Sequence, residues 1–154
     1  QNIDMASTLT PSTFNVTIIE EQVVKSNIIK NQTSFTISSV TNVDRRTVTC
    51  PTGSFVTLFN LDGPTPGAGT FPSSSLKYAR ISNLDDTNNL YITVSGSDGR
   101  MSQEVTPKST VIIASSNITS SIGLNSGTLN DDIQFVQALA TGGAIDVDYT
   151  IVNS

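Results

Sequence analysis

The sequence predicts an all-β fold, an antiparallel β-sandwich that is jelly-roll-like and built from about nine or ten strands. Apolar and polar residues alternate with period two in short runs, and Ser, Asn, Asp, Gly or Pro bound each run. The composition suits a pleated surface: the 154 residues include 21 Ser and 21 Thr, and only 14% are charged. β-Branched Val, Ile and Thr pack well on such a surface, while the long helix formers Glu, Lys and Leu are sparse.

The first alternating run is Phe14-Asn15-Val16-Thr17-Ile18, with Phe14, Val16 and Ile18 on one face and Asn15 and Thr17 on the other. The same alternation marks 35–37, 90–94 (Leu90, Ile92, Val94) and 145–151 (Ile145, Val147, Tyr149, Ile151). Further strands are expected at 22–30, 54–60, 76–83, 100–105, 110–115 and 131–138. In the last of these, Ile133, Val136, Leu139 and Ala140 also fit a helical stripe that Asn130 to Asp132 would cap. Its short length and the Gly142-Gly143 pair favour a strand turning tightly into the closing strand.

Residues 1–12 are polar and aperiodic and read as an N-terminal arm, leaving 13–154 as a single β-sandwich domain. The chain starts at Gln1 rather than Met, which leaves room for an initiator or leader before it. Region 61–75 is punctuated by Gly63, Pro64, Pro66, Gly67, Gly69 and Pro72 and reads as an exposed loop. Within it, Asp62, Gly63, Pro64, Thr65, Pro66, Gly67, Ala68, Gly69, Thr70 and Phe71 form a candidate contact loop, because pre-ordered loops of this length commonly meet a neighbour.

No catalytic, cofactor or metal site is expected. The chain has no His and one Cys, so it lacks the commonest general base and metal ligand, and an internal disulfide has no second thiol. Cys50 reads as a small buried hydrophobe. Gly67-Ala68-Gly69 lacks the third glycine and following helix that a phosphate cradle needs. The acids Glu20-Glu21, Asp85-Asp86 and Asp131-Asp132 sit in adjacent pairs without calcium-loop spacing, and Asp146 and Asp148 read as the water-facing side of a strand. The sequons at Asn15, Asn31 and Asn117 are no more than this composition gives by chance. Tyr78, Tyr91 and Tyr149 read as core, with no Trp to form a sugar platform.

A net charge of −5 opposes direct nucleic-acid binding, and Arg45 and Arg46, adjacent on a strand, point to opposite faces. No window carries the long apolar run of a membrane span.

Three segments resemble small bacteriophage virion structural proteins of the capsid decoration, cement or head-fibre type. Tyr78-Ala79-Arg80-Ile81-Ser82-Asn83-Leu84-Asp85-Asp86-Thr87-Asn88-Asn89-Leu90-Tyr91-Ile92-Thr93-Val94 is similar to their strand, Asn-Leu-Asp-type turn and returning strand. Val105-Thr106-Pro107-Lys108-Ser109-Thr110-Val111-Ile112-Ile113 follows their Leu-x-Pro-Gly-Glu-like turn, with Lys108 and Ser109 departing from Gly-Glu. Gly143 to Ile151 is similar to their closing strand. The resemblance covers roughly half the chain and implies a virion structural protein on the capsid surface, binding the outer shell beside the major capsid protein or another virion protein, and homo-oligomeric with a trimer favoured. A receptor- or glycan-binding module of a phage fibre or tail, or an adhesin-like domain, is the alternative.

Overall fold

The computed structural model describes residues 11–62, 69–71, 75–97, 99–118 and 131–154. The described residues hold twelve strands and no helix, and every pair of named strands is antiparallel. Ten strands have four residues or more: β1 (Ser12–Val24), β2 (Asn27–Val40), β3 (Asn42–Cys50), β4 (Phe55–Asn60), β5 (Leu76–Asn83), β6 (Leu90–Ser95), β7 (Arg100–Val105), β8 (Thr110–Ile113), β11 (Phe135–Ala140) and β12 (Ile145–Asn153). The short β9 (Asn117–Ile118) and β10 (Asp131–Asp132) pair with each other. The helical reading of 131–140 is excluded, since Val136, Ala138 and Ala140 alternate inward along β11.

The chain divides into two compact units, Gln1–Thr41 and Asn42–Ser154, rather than a short arm followed by one domain from residue 13. Of the expected arm, residues 1–10 lie outside the described residues, and Ser12 already belongs to β1. Among the described residues of the first unit, β1 and β2 form a long hairpin and pair only with each other. The expected strand at 22–30 is interrupted by its turn. Val24 pairs with Asn27 across Lys25 and Ser26, both at positive φ (46° and 69°), the backbone of a two-residue type I′ turn. Asn-Gly or Asp-Gly usually announces that turn, and Lys-Ser does not.

The second unit is a sandwich of two four-stranded sheets, ordered β4-β11-β6-β7 and β3-β12-β5-β8. The pairs β3·β12, β4·β11, β5·β8 and β6·β7 nest inside one another like a single long hairpin folded over. The pairings β12·β5 and β11·β6 complete each sheet.

Alternation fills the space between the sheets. Ile145, Val147, Tyr149 and Ile151 of β12 meet Leu90, Ile92, Val94, Val136 and Ala138 from the opposite sheet in one buried cluster. Cys50 is buried in the same cluster, as its reading as a small hydrophobe expected. β3 was not expected as a strand. Its inward positions include Asp44 and Arg46 as well as Val48 and Cys50, so the apolar period is faint, as suits the edge strand it is. Arg45 is exposed and Arg46 half-buried beside Asp44, on opposite faces as the pleat demands.

One irregularity matters for the core. β4 runs Thr57-Leu58-Phe59 against Gln137-Val136, so Leu58 is the extra residue of a β-bulge. The bulge lets two consecutive side chains, Leu58 and Phe59, both face inward.

Candidate functional site

Four connections meet at one end of the sandwich: 51–54, 84–89, 106–109 and 141–144. Their backbones are stitched together, with Gly53 N donating to Ala140 O (3.1 Å), Leu84 N to Asp146 O (3.0 Å), Thr141 N to Asn89 O (3.2 Å) and Lys108 N to Asp85 O (3.2 Å). Asn83 is the keystone. Its buried Nδ2 donates to Asn88 O (2.9 Å) and Val105 O (3.0 Å), while its Oδ1 accepts from Asp85 N (2.9 Å). Asp85 Oδ1 in turn accepts from Thr87 N (2.8 Å) and Asn88 N (2.6 Å), and those two backbone donors hold its carboxyl below the usual carboxylate pKa. The Asn83-Leu84-Asp85 segment is therefore a self-capped turn.

A hollow of about 350 Å³ opens at this end, lined by Thr49, Leu84, Asp85, Asp86, Ala144 and Asp146. Its three carboxylates already have partners: Asp85 caps its turn, Asp86 pairs with Lys108 Nζ (2.9 Å), and Asp146 accepts from Thr49 Oγ1 (2.7 Å). Among the described residues no cluster of His, Cys, Asp and Glu is gathered to hold a metal ion.

Asp146 and Asp148 point outward, and Asp148 Oδ2 accepts from Arg80 Nη2 at 2.9 Å. Burial raises the pKa of Cys50, and the Asp146 charge adds to the effect, so the thiol stays protonated. No described helix is long and apolar enough to cross a membrane.

In the candidate contact loop, Gly63, Pro64, Thr65, Pro66, Gly67 and Ala68 lie outside the described residues. Asp62 is exposed, and its N–H donates to Asn60 Oδ1 (2.9 Å). The far end of the loop is tucked in rather than exposed. Gly69 is buried and Phe71 packs against the core, tied by Asn60 N to Gly69 O (2.7 Å) and Phe71 N to Asn60 O (2.8 Å). Leu61 is buried as well. An aromatic side chain beside the core has more to gain from burial than from display, which overrides the surface reading for 69–71.

Two surfaces escaped the sequence reading. Tyr91, expected in the core with Tyr78 and Tyr149, is 36% exposed on the outer face of its sheet, whereas the other two are buried. It pairs across β11 with Leu139, which pairs in turn with Phe55, itself 58% exposed. Phe55, Leu139 and Tyr91 therefore form an apolar row across three strands. Reading Tyr91 against its neighbours Leu90 and Ile92 could have found it, since residues on either side of an inward pair face outward.

The second surface is the hairpin. Phe14, Val16 and Ile18 share a face with Phe35 and Ile37 near its base, while Thr17–Ser34 and Asn15–Thr36 hydrogen bonds occupy the other face. Towards the turn the apolar residues have no such shelter: Ile19, Val23, Ile28 and Ile29 are 62%, 65%, 60% and 58% exposed. No family model, curated protein or solved structure matches this chain.

Proposed function

We propose that this chain is a viral structural protein, a capsid decoration or cement protein that binds the outer capsid shell and stabilises the particle. The observation that carries this reading is the hairpin Ser12–Val40, a two-stranded ribbon with large apolar side chains exposed over its outer half. Such a surface is costly in water and finds its place when an assembly covers it. The virion-protein resemblance supports the same role, because its segments fall on β5, the Asn83–Asp85 turn, β6, the β7–β8 turn and β12, which are the scaffold of the sandwich. Many copies on one particle multiply modest contacts through avidity.

The test is to mix the purified chain with capsids that lack it. Stoichiometric binding and delayed heat-induced genome release are the expected results. Capsids that neither retain the chain nor gain heat resistance would remove the proposal.

The Phe55–Leu139–Tyr91 row favours a second reading, a glycan- or receptor-binding module. Two aromatic rings on strands flanking β11 stand roughly 10 Å apart, within reach of successive sugar rings. Glycan binding that Tyr91→Ala abolishes would select that reading.

A further inference from the structure

We infer that the hairpin Ser12–Val40 is the self-association element of this chain and that its occupant is the same hairpin of a second copy. This rests on the assembly role proposed above and names the partner for its most exposed surface.

The first argument is the count of strands. A lone two-stranded ribbon is marginal in water, and three or more strands with a covered face are needed for independent stability. Among the described strands β1 and β2, 13 and 14 residues long, pair only with each other, so the ribbon they form has two strands and not three. A second hairpin supplies the missing strands in matching length. The β1 edge carries few of the devices that normally blunt an edge: Phe14–Val24 contains no Pro and no Lys, its charges are confined to Glu20 and Glu21, and no register shift interrupts its pairing with β2. By contrast, the sandwich edge β3 carries Asp44, Arg45 and Arg46.

Charge is the second argument. The whole chain has 8 basic and 13 acidic residues, a net of −5, so two copies repel one another over most of their surface. Residues 12–40 hold two acids, Glu20 and Glu21, and two bases, Lys25 and Lys30, for a net of 2 − 2 = 0. Glu21 and Lys30 already pair across the ribbon at 3.3 Å. The most apolar exposed segment is thus also a neutral one, where a second acidic copy can approach without a Coulomb penalty.

Area is the third. At ~3.4 Å per residue along a strand and ~4.8 Å between strands, such a ribbon is ~44 Å long and ~10 Å wide, or about 440 Å² per face. A stable interface takes about 800 Å² from each partner. One face falls short, whereas both faces together reach that size. Exposed apolar residues do occur on both faces, with Val23 and Ile28 opposite each other on one and Val24 and Ile29 on the other. A shallow groove on an unrelated shell covers one face, while ribbons adding at an edge and packing on one another cover both.

The test uses the full chain. Sedimentation equilibrium across micromolar concentrations is expected to show self-association, and the triple variant Ile19→Thr, Val23→Thr, Ile28→Thr is expected to weaken it at least tenfold. Thr keeps the β-branching that suits a strand, and the near-ultraviolet signal of buried Tyr149 reports whether the sandwich is intact. A second variant, Ile28→Cys, is expected to give covalent dimers with a short thiol-reactive cross-linker, because Cys50 is buried and silent.

A wild-type chain that stays monomeric, a triple variant of unchanged mass, or an Ile28→Cys chain that never cross-links between copies would each overturn the inference. Capsid binding by a monomeric wild-type chain would sink this inference alone. Self-association without capsid binding would sink the decoration role alone.

Discussion

The hydroxyl of Tyr149 on β12 donates to the carbonyl of Leu58 on β4 at 2.8 Å, a buried bond joining the two sheets of the sandwich. The bulge at Leu58 makes this bond available, since the extra residue of a bulge drops out of the ladder and its carbonyl needs another donor. Burial raises the pKa of the phenol, which keeps the proton in place. The Tyr149 ring also lies 5.8 Å from that of Phe59, tilted at 44°. Tyr149→Phe keeps the ring and removes the donor, leaving a buried carbonyl unsatisfied. The expected loss is about 1–3 kcal/mol of unfolding free energy, measured by urea titration with an unchanged slope. A loss near zero would mean that the Leu58 carbonyl has another donor.

Lys108 occupies a position made for glycine. Ser109 N donates to Thr106 O (3.0 Å), closing a turn with Pro107 second and Lys108 third at φ 59°, the geometry of a type II turn. The Lys108 side chain compensates by donating to Leu84 O (2.8 Å) and pairing with Asp86. Both contacts are exposed and worth little. Lys108→Ala keeps the strained backbone and loses the contacts, whereas Lys108→Gly loses both. Thermal unfolding is expected to place Lys108→Gly above Lys108→Ala by about 1 kcal/mol; the reverse order would show that the positive φ at this position holds no strain for glycine to relieve.

Asp85 gives the fold an acid sensitivity with a defined sign. Its carboxyl titrates below its ordinary value of 3.8 in the folded chain because the Thr87 and Asn88 backbone N–H groups stabilise the charged form. A depressed folded pKa contributes stability that is fully present above the unfolded value and is lost as pH falls through the lower folded value. Melting temperature measured downward from about pH 5 should therefore fall less steeply for Asp85→Asn than for the wild type. Asn keeps an acceptor oxygen without a proton to gain, so parallel curves would exclude Asp85 as a contributor.

Where alternation was strong, the sequence already located the strands. The expected 76–83 coincides with β5, and 54–60, 90–94 and 145–151 fall within a residue or two of β4, β6 and β12. β6 and β12 bury Leu90, Ile92 and Val94, and Ile145, Val147, Tyr149 and Ile151, in strict alternation. The misses have separate physical causes. β3 places Asp44 and Arg46 on its inner side, which blurs the period. The Leu58 bulge puts two neighbours inward, which a strict period of two cannot represent. Tyr91 belongs to a strand whose turn and inner face were legible, but its residue type outweighed its register. The hairpin was hidden because its turn has no glycine, so 22–30 looked like one continuous apolar strand.

That hidden turn yields the last prediction. Lys25 and Ser26 both hold positive φ, a conformation that costs an ordinary L-residue roughly 1–2 kcal/mol and that Asn and Gly adopt far more readily. The double substitution Lys25→Asn, Ser26→Gly fits the existing backbone and leaves the pairing of Val24 with Asn27 unchanged. The entropy that Gly adds to the unfolded chain opposes part of the gain, so the expected net is about 1 kcal/mol in favour of the closed hairpin. Native-state hydrogen exchange reads it directly. Amides of Gln22 to Asn31 should exchange more slowly in the variant, by a few-fold up to about tenfold. Unchanged exchange there would mean that contacts beyond the turn, rather than its backbone strain, limit opening of the ribbon.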